Sequence, residues 1–343
     1  MPRLHRVDPS TPGIVRRRRG KGFSYEDARG RVVRDPEELE RIRALAIPPA
    51  WNDVWICPDP EGHLQAAGTD AAGRRQYLYH PIWRERQDVR KFRRIEAFAR
   101  ALPAMRSMIE RDLELEGLPK ERVMAVAVRL LDRTTFRIGS EAYADANGSF
   151  GLATIRKSHV HIDGDTLIFD YTAKGGLRRM QQIHDPRLAP LVARMKHRRT
   201  GGVELLAYRA DGRWRDLRSS DINAYLKDVL GTDHSAKDFR TWHATTLAAV
   251  DIARAEHERL PRSSQNRAIA STVRRVAEHM GNTPAVCRAS YIDPRVFERF
   301  KEGLTIAHTL HPAATTDGND LRESVERAVL ELLAGEVERA AAA

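Results

Sequence analysis

Cysteine is nearly absent. Cys57 and Cys287 are the only two in 343 residues, and they lie far apart. That excludes a disulfide framework and a cysteine-based zinc site, and it fits a reducing compartment. Long apolar runs are missing as well. No stretch approaches a membrane span, and the first residues lack the apolar core of a secretion signal. The expected location is therefore cytoplasmic. The 13 histidines are scattered, with no His, Cys or carboxylate spacing of a closed zinc site. Neither a metal nor a cofactor is expected. Internal repeats and long low-complexity segments are absent too.

What is present is length, a core and positive charge. A chain of 343 residues suggests two domains, and 41% hydrophobic residues suffice for a real core. The net charge is +11. Residues 1–34 hold ten Lys/Arg against three Asp/Glu, and residues 311–343 hold three Arg against seven Asp/Glu. A basic start on a basic body suits a polyanion, above all nucleic acid. An arginine-rich composition without special purpose is the plainer alternative.

Residues 1–22 read as a basic arm ending in Arg16-Arg17-Arg18-Arg19-Gly20-Lys21. A like-charge block of this kind is expected to stay disordered until it meets an anion, and to add affinity but little sequence choice. Residues 23–90 read as short strands and turns around one helix opened by Asp35-Pro36. The strand Arg75–Tyr79 alternates, with Arg75, Tyr77 and Tyr79 on one face and Gln76 and Leu78 on the other. That basic and aromatic face suits phosphates and bases, or is simply a solvated strand.

Helical periodicity takes over near Trp83, and residues 91–343 read as a larger, mainly helical domain. Helices are expected over 84–101, 103–115, 120–131, 186–197, 220–230, 235–257, 263–280 and 319–335. Strands are expected at 152–155, 160–162 and 166–171, with turns at Asp163-Gly164 and Ala173-Lys174-Gly175-Gly176. The fold class is α+β: a small β-rich N-terminal domain and a larger, mainly helical one with a small antiparallel sheet.

Four further stretches offer chemistry. Arg137, in Phe136-Arg137-Ile138-Gly139, can clamp an anion or sit idle on the surface. Lys174, on its Gly-Gly hairpin, can reach into a groove or only solubilise a turn. Lys237, Arg240 and His243 recur at helical spacing near one face. Thr283-Pro284 starts a short helix, a hydroxyl cap followed by a proline at the first helical position. Tyr291 follows about two turns on, as a nucleophile or as a wall of the core.

Taken in order, Gly73–Tyr79, Phe136–Gly139, Ala173–Gly176, Lys237–Thr241 and Gly281–Tyr291 resemble the type IB DNA topoisomerases of the poxvirus-like, small bacterial form. The resemblance runs from about Pro48 to Ile292. It implies a nucleophile at Tyr291, catalytic arginines at Arg137 and Arg240, and a general acid at Lys174. It also implies DNA contacts from Arg75, Gln76, Tyr77, Tyr79 and Lys237. Duplex DNA is the implied partner, gripped by a monomer closing as a clamp. One position departs: Asn282 stands where the family usually has a histidine that donates to a phosphate oxygen. Asn keeps an amide donor but cannot carry charge. His279, one turn earlier, is a possible substitute. The rival readings are a tyrosine recombinase and a non-enzymatic DNA-binding protein of the same fold.

Overall fold

The computed structural model describes residues 3–231, 233–256, 262–310 and 318–336. The chain forms two compact units, Met1–Phe92 and Arg93–Ala343.

The first unit is one antiparallel sheet and one helix. Its elements are β1 (Ile14–Arg19), β2 (Gly22–Glu26), α1 (Pro36–Ala44), β3 (Asn52–Ile56), β4 (Leu64–Thr69) and β5 (Arg75–Tyr79). The strand order is β2-β1-β3-β4-β5. Asp35 caps α1 by accepting from the Glu37 N–H, and Pro36 fills the first turn. The helix lays Ile42 on Ile14, Val54, Ile56 and Ala66.

The basic block is therefore not a free arm. β1 pairs with β2 on one side and β3 on the other. The charge is accommodated because one of the four arginines is buried on acceptors and the other three stay in solvent, where Arg17 pairs with Glu26. Arg17, Arg18 and Arg19 face solvent, while Arg16 turns inward. Its guanidinium donates to the carbonyls of Ile47, Pro48 and Trp51 and lies 4.2 Å from the Phe23 ring centre. An arginine so satisfied fastens the Pro48-Pro49 loop to the sheet. β5 alternates as expected: Arg75, Tyr77 and Tyr79 are exposed, Gln76 and Leu78 half-buried.

The border between the units falls inside α2 (Pro81–Leu113). Two helices meeting at Pro103 were expected. One continuous helix is found, although the proline removes a hydrogen bond. Its stripe of Phe98, Leu102, Met105 and Ile109, all buried, spans the proline and holds the axis.

The second unit continues with α3 (Lys120–Arg133), α4 (Glu141–Asn147), β6 (Val160–Asp163), β7 (Thr166–Ala173), β8 (Leu177–His184) and α5 (Leu188–Lys196). Then come β9 (Ala207–Ala210), β10 (Arg213–Asp216), α6 (Ser219–Leu230), α7 (Ala236–Glu256), α8 (Arg262–Met280), α9 (Pro284–Ser290), α10 (Arg295–Lys301) and α11 (Gly318–Ala334). The α+β assignment holds. α3 is the central helix, buried from Val123 to Val128 and again at Leu130 and Leu131. β6-β7-β8 form a three-stranded antiparallel sheet and β9-β10 a hairpin.

The strand expected at 152–155 is instead a turn of 3₁₀ helix, Leu152–Thr154. Its amides are used elsewhere: Leu152 and Ala153 donate to the carbonyls of Arg137 and Ile138. Gly151 permits the approach. A Cβ there would lie 2.5 Å from the backbone of Gly139. The tail at 340–343 lies outside the described residues. No helix among the described residues is long and apolar enough to cross a membrane.

Candidate active site

The site is built on the end of α8. Gly281 takes φ +61°, the left-handed conformation that stops a helix. Its N–H returns to Glu278 O and that of Asn282 to Ala277 O, the paired bonds of a Schellman ending. Thr283 then starts α9, its hydroxyl accepting from the Val286 N–H, with Pro284 next. Tyr291 ends this helix. Its N–H bonds Cys287 O and its carbonyl accepts from Thr245 Oγ1.

Two arginines from distant elements meet at this ending. Arg137 follows α3 on a loop held by the 3₁₀ turn and by Phe136, which stacks on Tyr171 and meets Phe169 edge-on. Arg240 rides α7 between Phe239 and Trp242, both buried. Arg137 Nη2 donates to Gly281 O at 2.8 Å and to Asn282 Oδ1 at 3.3 Å. Arg240 Nη2 donates to Met280 O at 2.9 Å and Asn282 Oδ1 at 2.6 Å, and its Nη1 to Thr135 O. The carbonyl end of a helix favours cations by about 0.3–1 kcal/mol each, so these positions are electrostatically natural. Arg240 is only 3% exposed. Burial, with Arg137 adding to it, pushes its guanidinium down to about 10, while Tyr291 acts the other way. It stays charged at neutral pH. Its Nε is buried with no acceptor among the described residues, and its Cζ lies 5.2 Å from the Tyr291 ring centre.

The structure thus brings Arg137, Arg240, Asn282 and Tyr291 together. Lys174 stands exposed on the β7–β8 turn, where Gly175 and Gly176 both take positive φ. Among the described residues no hydrogen bond or ion pair joins it to the other four. Arg75 is tied to Asp53 O and Gln76 to Asp70, and the Tyr77 and Tyr79 rings lie 6.3 Å apart in the first unit.

The shared face expected of Lys237, Arg240 and His243 does not exist. Lys237 is exposed, Arg240 buried in the cluster, and His243 bonds the carbonyl of Asp132. Residues three apart are rotated about 60° on a helix, so three of them fan over about 120°. His279 likewise lines a cavity with Asp132 and His243.

Several contributors escaped the sequence reading. Arg179 donates to the carbonyls of Glu278 and His279, and Gln181 holds the Thr135 backbone and hydroxyl. Their signal was available: both fall on the inward face of β8 with Ile183, where apolar residues are expected. Asp132, 4% exposed, takes forked bonds from Arg106 and Arg322 just before the arginine loop. Cys287 is buried near Arg240, and burial pushes its thiol up to about 11, too high for a nucleophile. Among the described residues no three His, Cys, Asp or Glu side chains could hold a metal ion.

A helical unit with this cluster at its centre defines the class. Residues 81–310 match the model for the catalytic core of eukaryotic DNA topoisomerase I. Residues 22–70 match the N-terminal domain of bacterial DNA topoisomerase IB, and the chain belongs to the type IB DNA topoisomerase family. It is an enzyme of that type, and the family implies DNA as substrate. The DNA topoisomerase 1B of Acanthamoeba polyphaga mimivirus is 29% identical over 285 residues, covering 82% of this chain and 85% of that one. The DNA topoisomerase 1B of vaccinia virus is 20% identical over 288 residues, covering 82% and 88%. A DNA topoisomerase 1 of Daucus carota is 27% identical over 128 residues, covering 37% and 15%.

Proposed function

We propose that this topoisomerase cuts one strand of duplex DNA through a 3′-phosphotyrosyl bond to Tyr291. The cut end then rotates to relax positive and negative supercoils, and the strand is resealed without ATP or metal. The observation that carries this reading is the convergence of Arg137 and Arg240 on Asn282 beside the Tyr291 ring.

The chemistry follows from charge. Attack by the Tyr291 oxygen on phosphorus builds negative charge on the non-bridging oxygens. Two guanidinium groups that are already placed, one with an unused buried Nε, answer it. Removing one such donor raises the barrier by about 2.7–4 kcal/mol. The P–O5′ bond breaks as the P–O(Tyr) bond forms. The phenolic proton leaves to solvent, and Lys174 gives a proton to the departing 5′-oxygen. One phosphodiester replaces another, so the reverse step needs no energy source. Lys174 must come over the phosphate when DNA binds, and its exposed Gly-Gly tip leaves it free to do so.

We further read the enzyme as a cytoplasmic monomer whose two units both engage the duplex, through Arg75, Gln76, Tyr77 and Tyr79 in the first and Lys237 in the second. The net charge of +11 supports the grip. The test is plasmid relaxation in EDTA without ATP. Wild type is expected to relax supercoils of both signs. Tyr291→Phe is expected to bind DNA yet transfer no label to protein on a denaturing gel. A labelled adduct with Tyr291→Phe, or a strict need for ATP or Mg²⁺, refutes the scheme.

A further inference from the structure

We propose that Arg179 is a positioning residue for strand cleavage, coupling the lysine hairpin to the turn that carries Asn282; the inference rests on Tyr291 being the nucleophile. Four successive carbonyls at the end of α8 each accept from a guanidinium. Glu278 O and His279 O take Arg179 at 3.2 and 2.6 Å, Met280 O takes Arg240, and Gly281 O takes Arg137. The two arginines nearest Asn282 also reach its side chain. Arg179 completes the row one step back and touches neither Asn282 nor Tyr291 by any hydrogen bond found among the described residues.

Its second grip is on Thr135. Arg179 Nη2 donates to Thr135 Oγ1 at 3.2 Å. The same threonine gives its N–H and hydroxyl to Gln181 Oε1, both at 2.9 Å, and its carbonyl receives Arg240. One guanidinium therefore spans the turn ahead of Asn282 and the residue that anchors Arg240. It packs directly beneath that turn: a Cβ on Gly281 would lie 3.1 Å from the Arg179 guanidinium.

The strand supplies the third link. Arg179 lies five residues after Lys174 on β8, which pairs with β7 along its whole length. Arg179 pairs with Tyr171, two pairs from the turn, so fastening it to α8 fixes the part of the hairpin next to the tip that carries Lys174. Without it, the Asn282 turn, the Arg240 anchor and the hairpin next to Lys174 lose their common member. A shift of about 1 Å in reacting groups costs roughly 100-fold in rate.

The experiment is single-turnover cleavage of a labelled duplex that traps the covalent adduct, at saturating protein. Wild type, Arg179→Ala, Arg179→Lys, Asn282→Ala and the Arg179→Ala/Asn282→Ala double variant are compared, with duplex affinity measured in parallel. Arg179→Ala is expected to slow cleavage roughly 100-fold with affinity unchanged. Arg179→Lys should fall between, because an ammonium reaches a carbonyl but cannot fork over two. The double variant should be no slower than the worse single, since both act through one turn. Fully additive losses, an unaltered Arg179→Lys rate, or an affinity loss equal to the rate loss would overturn the proposal. If Arg179→Ala does not fold, the lysine variant is judged by the same rate and affinity criteria. Absence of adduct from wild type would instead refute Tyr291 as nucleophile, while normal cleavage by Arg179→Ala refutes only this inference.

Discussion

With its Oδ1 held by Arg137 and Arg240, Asn282 has only its amide N–H groups left to offer. The two cations assign the amide orientation, oxygen inward and nitrogen outward. A neutral histidine has one acceptor lone pair and could not receive both arginines while donating outward. The asparagine is thus suited to this packing, and on the proposed mechanism its amide is the donor set against a phosphate oxygen. Asn282→Ala is expected to slow cleavage by about 10²–10³-fold, the usual effect of losing such a donor. Asn282→Asp should be slower still, because a carboxylate keeps both arginines, cancels their charge and repels the phosphate. Single-turnover rates decide the order, and an aspartate variant faster than alanine contradicts it. His243 gives a second residue-level expectation. Burial, then Arg322, pushes its imidazole down to about 4 from the ordinary 6.5. The unfolded chain takes up that proton first, so this residue's contribution to stability is complete above pH 6.5 and is lost as the pH drops towards 4. Urea unfolding between pH 4.5 and 7 should show this slope, and His243→Gln should flatten it. Arg137, Arg240, Asn282 and Tyr291 were legible as motif residues. Arg179 and Gln181 left only one local signal, polar residues on the inward face of β8, and their partners, mainly backbone and threonine groups on other elements, are recorded by no local pattern.

Elements were legible where the local rule and the tertiary demand agree. The capped starts of α1 and α9 and the Asp163-Gly164 and Lys174 hairpins are of this kind. They were misread where distant groups decided. Leu152–Thr154 is a turn because its amides bond to the arginine loop, and Pro103 stays helical because the core stripe spans it. β1 is the sharpest case, since its charge block says arm and its pairing says sheet. Lying between β2 and β3, it cannot be removed without baring the core on Ile42, Val54 and Ile56. Deleting residues 1–21 should therefore make the first unit unfold, seen as rapid proteolysis of residues 22–92. A truncated protein that resists protease as well as wild type would restore the arm.

At the level of the molecule, basic groups are displayed by both units. The first presents exposed Arg17, Arg18, Arg19, Arg75, Tyr77 and Tyr79, and the second holds the guanidinium cluster. Duplex affinity should fall linearly on a log–log plot against salt, by about 0.9 in slope for each phosphate contacted. A flat plot between 50 and 200 mM salt, the range over which such contacts lose roughly 10³–10⁵ in affinity when several are made, would argue against phosphate-led binding. α11 belongs to the catalytic unit although it lies beyond the matched core at residue 310. Its Arg322 reaches Asp132, three residues before the backbone that anchors Arg240.

The carbonyls at the end of α8 have one further consequence. Arginines at rest in proteins are commonly quieted by carboxylates, and an incoming phosphate must then evict a rival anion. Here the resting acceptors are neutral amide oxygens. They fasten the guanidinium groups with partial charges rather than with a full negative charge. On the proposed mechanism the guanidinium groups therefore keep most of their charge for the scissile phosphate, and among the described residues no carboxylate has to be evicted from Arg137, Arg179 or Arg240.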